Sequence, residues 1–151
     1  MTPQQFQRQL QRHQQQLQQA FSRTLPVKVG VAAEQHFRDN FRKGGFVNGG
    51  LHRWKPSKRI GKQKGAAGQY KTLLSSRNHL YNSVKHRWVP YTAIVETNVP
   101  YAAAHNEGTN NAGRGHHTHI PKRQFIGDSR ELTDKAKVII LKEVNRILKT
   151  N

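Results

Sequence analysis

Cysteine is absent from this chain of 151 residues. That excludes a disulfide framework and any thiolate metal site, and it leaves the redox compartment unread. Acidic residues are scarce: 8 Asp and Glu stand against 26 Lys and Arg, a formal net charge of +18. Metal-dependent nucleases generally need clustered carboxylates, and few are available here. Apolar residues make up 34% and aromatics 8%, which suggests a modest core and sizeable exposed or partner-covered segments. No apolar run approaches the ~20 residues of a membrane span. The start, Met1-Thr2-Pro3-Gln4-Gln5, lacks the apolar stretch of a secretory signal, so the expected home is the cytoplasm where the chain is made.

What is present in excess is positive charge. Solubility of a small domain needs a net charge of only about 2–8, so this balance points to a polyanion or an acidic protein as partner. A merely solvated charge run is the bland alternative. Residues 1–75 hold fourteen basic and two acidic groups, residues 76–151 twelve and six, and no acid occurs between Asp39 and Glu96. Within that gap lie Arg53, Lys55, Lys58, Arg59, Lys62 and Lys64, with Trp54 and Tyr70 at the ends of the run. These side chains could neutralise phosphates and stack on bases, or lie against an acidic protein surface.

Periodicity predicts a helix over residues 2–23, with Phe6, Leu10, Leu17, Phe21 and Leu25 as a thin apolar stripe. Thr2 and Gln5 have capping-box spacing and Pro3 suits the first helical position. Ten of the first twenty residues are Gln, so such a helix needs a neighbour to be stable. Leu25-Pro26 is expected to break it. A second helix follows to about Lys43, carrying Ala33, Phe37 and Phe41 at spacings of four and ended by Gly44-Gly45.

Residues 44–71 show no periodicity and read as a long, mobile loop. A short helix is expected over 76–85, capped by Ser75 or Ser76. Trp88-Val89 and Tyr91–Asn98 read as two strands joined at Pro90. Pro100–His105 reads as a helical turn and residues 106–119 as an exposed loop. The last helix carries Leu132, Ala136, Ile139, Ile140, Val144, Ile147 and Leu148, with Asp128 and Glu131 at capping-box spacing. The expectation is a helical arm, residues 1–24, followed by one α+β domain, residues 25–151. In that domain a small antiparallel sheet packs against two or three helices.

Chemistry is thinly signalled. His116, His117 and His119 lie near His105 and Glu107, which raises a zinc or nickel site, but the Gly- and Asn-rich surroundings favour a solvated loop. A nuclease could recruit His105 and Glu107 as base and ligand, but Glu96, Glu107 and Asp128 fall on unlike elements, and Glu131 and Asp134 suit a helix start. Gly61-Lys62-Gln63-Lys64-Gly65 lacks the spacing of a phosphate loop. No catalytic residue, metal or other cofactor is therefore assigned.

Four segments carry a resemblance. They are Phe37–Phe46 with Trp54-Lys55-Pro56; Leu73-Leu74 through Leu80-Tyr81-Asn82-Ser83-Val84; Tyr101-Ala102-Ala103-Ala104-His105-Asn106-Glu107-Gly108; and Ile120-Pro121-Lys122-Arg123-Gln124-Phe125-Ile126-Gly127. In this order and spacing they resemble the phage virion morphogenesis family of tail-completion and head–tail joining proteins. Asn78 stands where the family usually has Gly, and Gln124 where it usually has Pro. The segment between Gly108 and Ile120 is longer than expected. The resemblance implies a non-enzymatic virion component, made in the bacterial host cytoplasm and encoded by a phage or prophage. It further implies a subunit that oligomerises on assembly into a ring at the virion neck, beside the portal or connector and the tail tube or terminator, with no membrane contact. Tyr101, His105, Glu107 and Phe125 are the candidate subunit contacts, although packing within the chain explains them equally well. Arg53, Lys55, Lys58, Arg59, Lys62 and Lys64 are the candidate contacts to packaged DNA or an acidic partner. A free nucleic-acid-binding domain is the rival reading.

Overall fold

A computed structural model describes residues 1–150. Its longest feature is one continuous helical rod from Pro3 to Lys43: α1 (Pro3–Gln19), a π-helical turn (Ala20–Thr24) and α2 (Leu25–Lys43). At 1.5 Å per residue the rod is about 60 Å long. The start is as the sequence predicts. The Thr2 hydroxyl accepts the Gln5 N–H at 3.2 Å, and the Gln5 side chain accepts the Thr2 N–H at 2.8 Å.

The expected break at Leu25-Pro26 does not occur, and the reason is local. Proline has no N–H to give the carbonyl four residues back, and its ring crowds that carbonyl. The wide turn at Ala20–Thr24 relieves the crowding, with the Leu25 N–H reaching back to the Ala20 carbonyl. The freed Ser22 carbonyl accepts the Tyr91 N–H at 3.2 Å, from a turn far away in sequence. Gly44 ends α2 with a left-handed φ of +69°, which suits glycine at this position.

After the rod come three antiparallel hairpins: β1 (Gly45–Val47) with β2 (Leu51–Arg53), β3 (Lys85–Val89) with β4 (Thr92–Glu96), and β5 (Thr109–Ala112) with β6 (Thr118–Ile120). The small antiparallel sheet is thus delivered as separate two-stranded pieces. The first and third lie where loops were expected, over 44–71 and 106–119. Only the middle hairpin has the alternation that a sequence reading can detect, and its turn is Pro90-Tyr91 with Tyr91 at φ +63°. Short helices α3 (His79–Ser83) and α4 (Ala102–Glu107) and the long α5 (Arg130–Leu148) complete the α+β fold. Two expected caps are replaced. Asn78, at φ +45°, precedes α3 and exchanges hydrogen bonds with Ser75. Ser129 caps α5, and Glu131 instead accepts the Gly49 and Gly50 N–H groups, both at 3.0 Å.

Helix α2 is the centre: α5 and the β3–β4 hairpin both pack on it. Its stripe Ala33, Phe37 and Phe41 meets Phe46, Trp54, Leu80, Val84, Val99, Ala102 and Phe125 in one core. Phe41 has no exposed surface and sits 5.1–5.8 Å from the rings of Phe125, Trp54 and Tyr81. Aromatic pairs of this kind add about 0.5–1.5 kcal/mol each beyond burial. Helix α5 is tied to α2 by Glu143, which is 4% exposed and bonds Lys28 at 2.9 Å and Arg146 at 2.7 Å. The two bonded cations hold its carboxyl down at about 2 against the cost of burial. Helix α1 touches α5 near the latter's end, where His13 bonds the Thr150 carbonyl at 3.1 Å. Before that point Phe6 and Leu10 are exposed.

Candidate functional site

The four resembling segments meet in one knot. The Asn106 side-chain oxygen accepts the N–H groups of Phe125 and Ile126 at 2.9 and 3.0 Å. Asn40, fully buried, donates to the Phe125 carbonyl at 3.0 Å and accepts the Val47 N–H at 3.2 Å. The Trp54 indole donates to the Gln124 carbonyl at 2.8 Å, and the Arg123 N–H to the His105 carbonyl at 2.7 Å. Gly108, at φ +75°, lets this crossing form: a Cβ there would stand 2.8 Å from the Lys122 nitrogen. Buried backbone groups must find partners, and these side chains supply them where no sheet does.

On the surface of the knot lies a cleft of about 250 Å³ between the 57–59 and 72–75 loops and the Tyr101–His105 turn. Arg59, His79, Tyr101, His105 and Arg123 all line it. Tyr101 is exposed, with His79 at 6.4 Å and His105 edge-on at 5.9 Å between ring centroids. Burial, and next the nearby Arg123, lowers the His105 pKa below its ordinary value, so the ring is kept neutral. Arg123 is itself 8% exposed, and burial lowers its pKa too. Arg123 was not singled out from the sequence, since a lone Lys-Arg pair after a proline carries no sign of burial.

The predicted contact residues divide. Tyr101, His105 and Arg59 come together at the cleft. Glu107 is exposed beside it in sequence and accepts a hydrogen bond from Asn106 at 2.7 Å. Phe125 is 1% exposed against Phe41, so its ring shapes the surface only from beneath. Lys55, Lys58, Lys62 and Lys64 are exposed, and Arg53 is exposed on β2 beside a second groove shared with Lys122 and Asp128. Arg59 points inward: its guanidinium donates to the carbonyls of Ala67, Tyr70, Lys71 and Leu74. The basic run, expected to be mobile, is therefore braced from within. The Ser57 N–H on the Thr72 hydroxyl at 3.0 Å and Lys71 on the Arg42 carbonyl at 2.8 Å add to the bracing. One arginine thus gives its charge to loop order while its lysine neighbours face water.

The histidine-rich segment pairs off locally. His116 bonds the Asn111 carbonyl and His119 the Asn110 side chain. Among the described residues no three His, Asp or Glu side chains are grouped to hold a metal, and no helix is long and apolar enough to cross a membrane.

With the four segments knotted around one cleft, the comparison with known families can be read on the geometry. The model of the phage virion morphogenesis family matches residues 2–145. The chain belongs to that family. No curated protein matches it, and no solved structure does. As a member of the virion morphogenesis family it is a structural phage protein of the tail-completion kind, acting in virion assembly. The match starts at residue 2, so the family pattern takes in α1 as well as the four knotted segments.

Proposed function

We propose that the chain is a ring-forming subunit at the head–tail junction, held between the portal or connector and the tail tube or terminator. The observation that carries this reading is a braced, exposed, acid-free basic surface: Lys55, Lys58, Lys62 and Lys64 project from a loop whose backbone Arg59 fixes. A fixed display of like charges favours docking on a preformed acidic surface, because the ordering cost is met before binding. The arm, residues 1–24, supports the same reading, since Phe6 and Leu10 are exposed on a helix that is already formed and capped. Each arm would lie on the next subunit of the ring. Packaged DNA passing through such a ring would meet the lysines weakly and without sequence preference.

The test is a phage or prophage carrying this protein without residues 60–67. Filled heads and finished tails should accumulate unjoined in electron micrographs; normal virions would sink the reading. Titration with duplex DNA addresses the rival. Non-specific contact should weaken by about a thousandfold or more between roughly 50 and 200 mM salt, whereas a preferred sequence retained at physiological salt would favour a dedicated nucleic-acid-binding domain.

A further inference from the structure

Arg123 is a buried cation without a counter-ion. It is 8% exposed, and among the described residues no carboxylate pairs with it. Its Nε donates to the Lys55 carbonyl at 2.9 Å and its Nη2 to the Pro56 carbonyl at 3.4 Å, and its Nη1 makes no hydrogen bond among the described residues. Buried charges are ordinarily paired, because desolvation is costly unless an opposite charge offsets it. This one lines an open cleft whose other polar walls include Arg59, His79, His105 and Thr72, with no acid among them.

We propose that this cleft is a carboxylate receptor, anchored by Arg123, that takes an aspartate or glutamate side chain from an acidic segment of a neighbouring virion protein. The donors left on Nη1 and Nη2 are the pair that a carboxylate engages end-on. Leu73 and Leu80 also line the cleft, and they suit the methylene stem of an acidic side chain better than the sugar-phosphate chain of DNA. A second copy is a poor donor. Five of the chain's eight acids are already used: Glu34, Asp39, Glu96 and Glu143 in ion pairs and Glu131 on backbone N–H groups. The rest would have to approach across two surfaces of net charge +18 each. The inference deepens the docking function above by naming what docks, and it is tested without particles, so the two can fail separately.

The experiment is an NMR titration of the full chain, ¹⁵N-labelled, with an oligoglutamate peptide at constant ionic strength. Inorganic phosphate and a short DNA duplex serve as parallel arms. The peptide should give saturable shifts at the Ser57, Thr72 and His105 amides. Arg123→Gln should weaken them by at least about tenfold, as truncating one side of a buried charge pair does. Because Arg123→Gln also strips donors from the Lys55 and Pro56 carbonyls that brace the knot, His79→Glu is the deciding variant. It supplies a carboxylate to the cleft, so it should abolish peptide binding and raise Tm. The proposal is overturned if shifts appear only at Lys58, Lys62 and Lys64, if phosphate or the duplex occupies the cleft more tightly than the peptide, or if His79→Glu binds the peptide as the native chain does.

Discussion

Phe6 and Phe41 lie near opposite ends of the same helical rod, one 54% exposed and the other fully buried. Around Phe41 the contacts are mostly non-local: rings from Trp54, Tyr81 and Phe125 close on it, and Asn40 beside it links the backbone of Val47 to that of the distant Phe125. Around Phe6 everything is local. No residue of α1 is buried, and its N-terminal half is held by its cap, the helix propensity of glutamine and continuity with α2. One end of the rod is shaped by the fold it belongs to. The other is formed and capped on its own, with Phe6 and Leu10 left exposed.

The comparison predicts unequal sensitivity. Phe41→Ala should have the largest effect, costing about 3–5 kcal/mol in chemical denaturation, as large-to-small changes at sealed aromatic sites do. A loss below about 1 kcal/mol would mean that the core closes over the gap. Asn106→Ala comes next, at about 2–3 kcal/mol, because it strips the acceptor from the Phe125 and Ile126 N–H groups together. An unchanged denaturation midpoint would show that water replaces the amide.

The same contrast has a pH signature, since the titrating groups sit on the buried side. His36 has its pKa lowered by burial and then by Lys135 and Lys43, and His105 by burial and then by Arg123. Both rings favour the neutral form in the fold, so the unfolded chain takes up protons first. Stability should therefore fall as pH drops through the ordinary histidine value of 6.5. Glu143 works lower down. Its stabilisation is complete above the ordinary 4.5 and disappears as pH falls to about 2. Denaturant midpoints measured across this range should step down twice. Glu143→Gln should shrink the lower step, to which Glu34 and Glu131 also contribute because both are held below their ordinary value. The neutral-pH cost of that change should be only about 1–2 kcal/mol, since Lys28 and Arg146 stay largely in water. The smallest effect belongs to the arm. Phe6→Ser with Leu10→Ser should move stability by no more than about 0.5 kcal/mol. The same pair should block particle assembly, and viable phage from that double variant would end the contrast drawn here.

How much was legible follows the same division. Thr2 and Gln5, the Ala33–Phe37–Phe41 stripe, Gly44 and, apart from the exposed Leu148, the apolar face of α5 follow from neighbours along the chain, and each is as the sequence predicts. The alternation in β4 gave the middle hairpin. What escaped depends on partners far away. Pro26 is tolerated because Tyr91 takes up the Ser22 carbonyl, and Glu131 leaves its cap to bind Gly49 and Gly50. In the sequence Arg59 is one more cation of the basic run, and only the fold brings four carbonyls around its guanidinium. The two missed hairpins have strands of only three or four residues, too short to show a period. At the cleft, nothing along the chain signals that Tyr101, His105 and Arg59 meet, and Arg123, which lines the cleft with them, appears in the sequence only as part of a resembling segment and not as a contact residue.

The π turn at Ala20–Thr24 has a geometric consequence for the arm. Such a turn amounts to one extra residue in an α-helix, and each residue advances the azimuth by about 100°. Because that residue is taken up in the wider turn, Phe6 and Leu10 keep nearly the bearing they would have on an uninterrupted α-helix. Removing a single codon between Leu10 and Gln19, outside the wide turn, would swing both side chains about a quarter of the way around the rod, leaving its length almost unchanged. A lineage could re-aim the arm toward a differently placed neighbour by that one deletion, with the knotted domain untouched.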